Sequence, residues 1–270
     1  MIWPLRTRRL TLDDTVLTRL TASQPWLDDL NAEDRSKLCV LMAEFLSIKA
    51  INGAHGLIVT DEMRVAIAAQ ACLPVLHLGL AHYGDFSEIV VHAGAFEVHR
   101  QHTDDIGLIT ELHEVLAGES IDGGPVVLSW EDVAEPGFSA HPSNVVIHEF
   151  AHKLDLADGL ADGCPPMSAG LRGRWLVCLE AAYEAFCAKL DDIESSIPSD
   201  IDPESEQADA WYGTLPLDPY AATDPCEFFA VAAERHFVDP HGFASAFPEL
   251  HDCFVTFFQQ SPYPAADTNG

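Results

Sequence analysis

The chain has 270 residues, with 43 acidic side chains against 14 basic ones, a formal charge of −29 and 48% hydrophobic residues. That apolar content is ample for a globular core. The charge argues against binding a nucleic-acid backbone or an anionic membrane surface, and no run approaches the roughly 18 apolar residues of a membrane span.

The N-terminal segment has Arg6, Arg8 and Arg9 but then Thr and Asp where a signal peptide has an uninterrupted apolar stretch. Residues 13–20 and 32–50 repeat apolar positions at three and four, as in Leu38, Leu41, Met42, Phe45 and Ile48, and read as helices. Residues 51–56 read as a turn or short loop and 57–60 as a brief strand. Asp61 caps a helix running to Ala71, with Pro74 interrupting it or marking its end. Residues 87–92 and 124–130 are short, β-branched and bounded by Gly or Asp, and read as strands. Between them, residues 96–117 look like a strand followed by a mobile loop, with His99, His102 and His113 as surface residues lacking ligand spacing. After a helix that contains residues 144–155 comes a Gly- and Pro-rich loop at 158–173 and an amphipathic helix at 175–190. An acidic stretch near 191–210 reads as a flexible insertion. Residues 227–234 and 243–260 are the last helices, and the chain should fray from 261. The alternation predicts one α+β domain over residues 1–270, mostly helical with a small sheet. Cys39, Cys72, Cys164, Cys178, Cys187, Cys226 and Cys253 are odd in number and contain no Cys-x-x-Cys pair. They read as reduced, mostly core thiols of a cytoplasmic protein.

The chemistry concentrates at His148-Glu149-Phe150-Ala151-His152. Histidines four apart on a helix lie one turn above each other and can aim at one ion. A carboxylate at Glu149 is suited to taking a proton from a water that the metal acidifies. Pro142 and Ser143 start the helix, Ser143 as candidate cap, and Gly159 stops it. Its apolar positions Val145, Ile147, Phe150, Ala151 and Leu154 predict burial. The bland alternative is a pair of satisfied core histidines. A catalytic zinc takes three protein ligands, and three carboxylates compete for the third place: Asp158, Glu227 and Glu234. Asp158 lacks the Gly that would turn the chain back toward the metal, the place being taken by Asp155. Geometry alone does not separate Glu227 from Glu234, which are seven apart. Asp155 itself reads as an acceptor for a ligating imidazole or a cap of the following turn.

Residues 148–155 and 217–231, the latter with the run Pro219-Tyr220-Ala221-Ala222-Thr223 and then Glu227-Phe228-Phe229-Ala230, resemble paired signatures of the Mlc titration factor A family of zinc-dependent peptidases. The likeness extends to residues 63–72 and 124–130. It implies a gluzincin-like metallopeptidase core, with one zinc per chain held by His148, His152 and Glu227. It also implies Glu149 as general base and Tyr220 lining the site, with aminopeptidase activity on small peptides. For Tyr220 this means a hydrogen bond to the oxyanion; a core tyrosine is the alternative. Residues 88–92 are the candidate sheet edge for an extended substrate backbone. The rival reading is a regulatory binding protein that titrates a transcriptional repressor of the Mlc type, its metal site structural or sensory. No nucleic-acid or membrane partner is expected.

Overall fold

The computed structural model describes residues 30–103, 109–116, 118–120, 124–134, 143–203, 205 and 207–260, together with Leu20 and Leu27. The helix expected at 13–20 falls outside them except for its last residue, as do Pro142 and the C-terminal residues 261–270.

Helix α1, Ala32–Ile48, starts where the Asn31 side chain accepts from Asp34 N, and it buries Leu38, Met42 and Phe45. Strand β1, Ala50–Gly53, follows at once. The sequence suggested a turn there because Asn52-Gly53 is a turn signal. The turn instead begins at Gly53, where a Cβ would lie 1.9 Å from Leu57 O, so only glycine allows the chain to double back. Ile51 points into the core while Ala50 and Asn52 face solvent, the alternation of a strand. Residues 57–60, expected to be a strand, are irregular, and Thr60 accepts from Met63 N as the cap of α2, Asp61–Cys72. The cap is thus one residue earlier than Asp61.

Strand β2, Glu88–His92, lies beyond a 3₁₀ turn at Leu80–Tyr83. Strands β3, Phe96–Thr103, and β4, Ile109–Leu116, form an antiparallel ribbon with His99 opposite His113. The second half of what read as a mobile loop is therefore a strand. Strand β5, Gly118–Ser120, and β6, Val126–Ser129, complete a sheet of order β1-β2-β6-β5, in which β1, β2 and β6 are parallel and β5 antiparallel. Strand β2 therefore has a neighbour on both sides. It cannot be the edge that receives a substrate strand, because its backbone groups are already in two ladders.

Helix α3, Trp130–Ala134, leads toward α4, Val145–Asp155, which packs against β5 and β6 and against α7, Pro225–Val238. Helix α5, Ala169–Ser196, is longer than expected at both ends and continues through the first six residues of the acidic stretch. It does so because Leu190, Ile193 and Ile197 keep an apolar face at helical spacing despite the surrounding charge. A short α6, Asp209–Tyr212, and a 3₁₀ turn, Pro219–Ala222, precede α7. The last predicted helix is two, α8, Pro240–Ala246, and α9, Pro248–Phe258, since Pro248 has no N–H to continue the ladder.

The fold is thus mostly helical α+β with a small sheet. Phe150 of α4 sits between Phe45, Tyr83 and Phe86, with ring centroids 5.7, 4.8 and 5.7 Å away. On the far side Trp175 stacks on Phe254 at 4.9 Å and meets Phe229 of α7. Burying each such ring is worth roughly 1.5–3 kcal/mol, so α4 and α7 are held rigidly in register.

Candidate metal centre

Helix α4 is fixed at its start by Asn144, whose side chain accepts from Ile147 N at 3.0 Å. The cap is therefore Asn144 and not Ser143. The helix ends at Asp155 in a 3₁₀ turn, and Gly159 reverses the chain at φ +87°. Helix α7 is fixed by Asp224, which accepts from Glu227 N at 2.9 Å, with Pro225 in its first turn. Glu227 is thereby held at the helix N-terminus, where the backbone dipole favours a carboxylate.

Three ligand-type atoms converge between these helices. His148 Nε2 and His152 Nε2 are 3.1 Å apart, and Glu227 Oε2 lies 3.1 Å from the first and 3.2 Å from the second. Among the described residues this is the group of three or more such side chains able to hold an ion. A tetrahedral ion with bonds of about 2.05 Å sets its ligands about 3.3 Å apart, close to the triangle found. Each imidazole also has its other nitrogen engaged. His148 Nδ1 is 2.7 Å from Glu234 Oε1, and His152 Nδ1 is 3.1 Å from Cys226 Sγ. Donation outward from both Nδ1 positions turns the two Nε2 lone pairs toward each other and toward a carboxylate. Such a constellation is stable around a cation.

Electrostatics agrees. Burial works against charge on His148, yet its hydrogen bonds to Glu227 and Glu234, with Glu149 nearby, raise its pKa well above the usual imidazole value. Burial dominates at His152, whose pKa is lowered, although Glu227 opposes the fall. Burial would raise Glu227, but the two imidazoles hold it far below the ordinary carboxylate range. The pocket is built for positive charge.

The structure separates the competing carboxylates. Glu227 joins the two histidines. Glu234 stands behind them, one oxygen on His148 and the other accepting from Asn144 N at 2.5 Å, so that it pins both the imidazole and the start of α4. Asp158 is exposed and accepts from Leu160 N at 3.2 Å, outside the cluster. Glu149, 4% exposed, lies on the turn between the histidines. Tyr220 is 46% exposed, which removes the core-tyrosine alternative, and its ring centroid is 6.2 Å from that of His148.

Asp155 does not bond an imidazole directly. It is fully buried and accepts from Gly163 N at 2.9 Å, while Cys164 N donates to Asp162 instead. Burial raises its pKa to about 6. Burial followed by the charge of Asp155 pushes the Cys226 thiol far up, so the sulfur keeps its proton and stands 3.1 Å from His152 Nδ1. The role of Cys226 escaped the sequence reading, which placed it among core thiols. Its place immediately before Glu227 was the available signal. Gly163 is required there, because at φ +75° a Cβ would lie 2.4 Å from Pro225 O, against the start of α7.

A His-Glu-x-x-His helix facing a carboxylate on a second helix is the ligand pattern of metallopeptidases. The family model described as glucose-regulated metallo-peptidase M90 matches residues 3–259, and the chain belongs to this family. It is similar to proteins named Mlc titration factor A. That of Serratia proteamaculans is 33% identical over 261 residues, covering 96% of this chain and 93% of the relative. That of Pectobacterium atrosepticum is 34% identical, covering 96% and 92%. That of Klebsiella pneumoniae is 37% identical over 247 residues, covering 91% and 86%. Among the described residues no helix is long and apolar enough to cross a membrane.

Proposed function

We propose that the chain is a cytoplasmic, zinc-dependent peptidase of gluzincin type, acting as an aminopeptidase on small peptides. His148, His152 and Glu227 hold the zinc, and the observation that carries this reading is their triangle of 3.1–3.2 Å with both outer imidazole nitrogens engaged. Bound there, zinc supplies a Lewis acid that acidifies water and polarises a carbonyl. Glu149 accepts the water's proton and delivers it to the departing amine. Its near-complete burial on the turn between the two histidines supports that role by fixing the carboxylate beside them. Tyr220, beside His148, donates a hydrogen bond to the oxygen that gains charge. Strand β5, the sheet edge packed along α4, offers its backbone to an extended peptide in place of the enclosed β2.

Glu149→Gln tests the base. The amide is nearly isosteric and cannot take the proton, so the variant should retain one zinc and lose about 10²–10⁴ in kcat on peptide substrates. Turnover at the parent rate would remove Glu149 from the mechanism.

The relatives' name favours a second reading, in which the chain titrates a repressor of the Mlc type and the metal site is structural or sensory. Glu149→Gln separates the two, because repressor capture needs no proton transfer. A variant that still binds the repressor after losing hydrolysis would assign binding and catalysis to different surfaces.

A further inference from the structure

A cavity of about 240 Å³ opens directly off the metal cluster on the His148 side. This is below the roughly 300–1,000 Å³ of pockets for drug-sized ligands, so it takes one side chain or one chain end and not a whole peptide. Leu217, Val231 and the ring of Tyr220 form apolar walls suited to an aliphatic stem.

The charges around the cavity do not cancel. Glu234 is satisfied by His148 and by Asn144 N. Arg235 is ion-paired with Asp239 at 2.6 Å. Asp218 makes no ion pair among the described residues. Its Oδ1 accepts from Tyr220 N at 2.9 Å, which anchors the carboxylate at the start of the turn carrying Tyr220. One negative charge with no ion-pair partner among the described residues is thus fixed on the wall of a cavity whose open surface is mostly apolar, beside the candidate metal cluster. The net charge of −29 further enriches cations around it.

We propose, taking the peptidase reading as given, that this cavity is the subsite for a cationic end of the substrate, with Asp218 as its counter-charge. The aliphatic part of the bound residue lies along Leu217, Val231 and Tyr220. The positive group is an ammonium or guanidinium, coming either from the N-terminus of the peptide or from a lysine or arginine side chain.

The test uses the full, zinc-loaded chain carrying Glu149→Gln, so that amides bind without being cleaved. It is titrated calorimetrically with three probes. Norleucinamide has only an α-ammonium, Nα-acetyl-lysine methylamide only a side-chain ammonium, and Nα-acetyl-norleucine methylamide neither. One charged probe should bind more tightly than the neutral one, and which of the two does so identifies the source of the cation. Adding Asp218→Asn should weaken that probe about three- to tenfold and leave the neutral probe unchanged. Asparagine keeps the acceptor for Tyr220 N, so the turn is preserved and only charge is removed. Equal weakening of all three probes, no weakening of any, or no advantage of a charged probe before the substitution would each overturn the assignment. Cleavage of the corresponding anilides by the chain with Glu149 restored is read separately. Binding as expected with no cleavage would sink the peptidase reading and leave the cation subsite standing.

Discussion

Two pairs of histidines in this molecule meet opposite fates. His148 and His152 on α4 have ring centroids 4.7 Å apart, and His236 of α7 and His251 of α9 lie 5.3 Å apart. Around the first pair stand Glu227, Glu234 and Cys226, and each imidazole is oriented by what its far nitrogen touches. Around His236 stand Phe237, Phe243, Phe254 and Phe258. It is fully buried, and neither ring nitrogen has a hydrogen-bond partner among the described residues. Burial, followed by the like charge of His251, holds its pKa well below the usual value. Burial is common to both pairs; carboxylates around the first make it a candidate cation site, and phenylalanines around the second leave it a piece of core.

The comparison breaks most sharply at the carboxylates. Glu227→Ala should abolish stoichiometric zinc and with it peptide hydrolysis. Glu234→Ala should keep one zinc per chain with about 10–100-fold weaker affinity in chelator competition, the usual effect of removing a partner behind a ligand. Asp158→Ala should leave both stoichiometry and affinity unchanged. The reverse ranking of Glu227 and Glu234 by metal analysis would dissolve the distinction between ligand and support.

A smaller effect is expected at the thiol. Cys226→Ala removes the sulfur that stands 3.1 Å from His152 Nδ1 and should weaken zinc about tenfold or less. Cys226→Ser, which can still accept and donate, should restore most of it. Equal zinc affinity in the parent and both variants, measured by competition, would show that the thiol only fills space.

The weakest effect sharpens the other pair. His236 is neutral in the fold while an unfolded chain takes up a proton below about pH 6.5, so its contribution is complete above that pH and is lost as pH falls. His236→Leu should flatten the decline of Tm between pH 7 and pH 5, with little change at pH 8. Parallel Tm curves for the two proteins would count against a neutral His236.

Much of the centre was legible in the sequence because it is local. The spacing of His148 and His152, the position of Glu149 and the apolar faces of α4 are properties of one short helix. Glu227 and Glu234 could not be ranked from spacing, because seven residues return to nearly the same helix face. What separates them is the axial position at which α4 crosses α7, a tertiary fact. Strand β1 was missed because Asn52-Gly53 speaks for a turn while the strand depends on pairing with Glu88 and its neighbours. The edge assigned to residues 88–92 failed for the same reason: strand order is nowhere encoded in a strand's own composition. The extension of α5 into the acidic stretch was visible in Leu190, Ile193 and Ile197, and charge concealed it.

The two helices of the centre are far apart in the chain: His152 and Glu227 are separated by 75 positions. An ion shared by them closes a loop of that length. In the chain-entropy treatment of cross-links, such a closure would remove about 4.5 kcal/mol of freedom from the unfolded state. Within the loop lie α5 and the acidic stretch, part of a chain that repels itself at a net charge of −29. A divalent ion held at the centre would therefore act as a clasp on the loop that contains the acidic stretch, and its charge would oppose that stretch's tendency to swell.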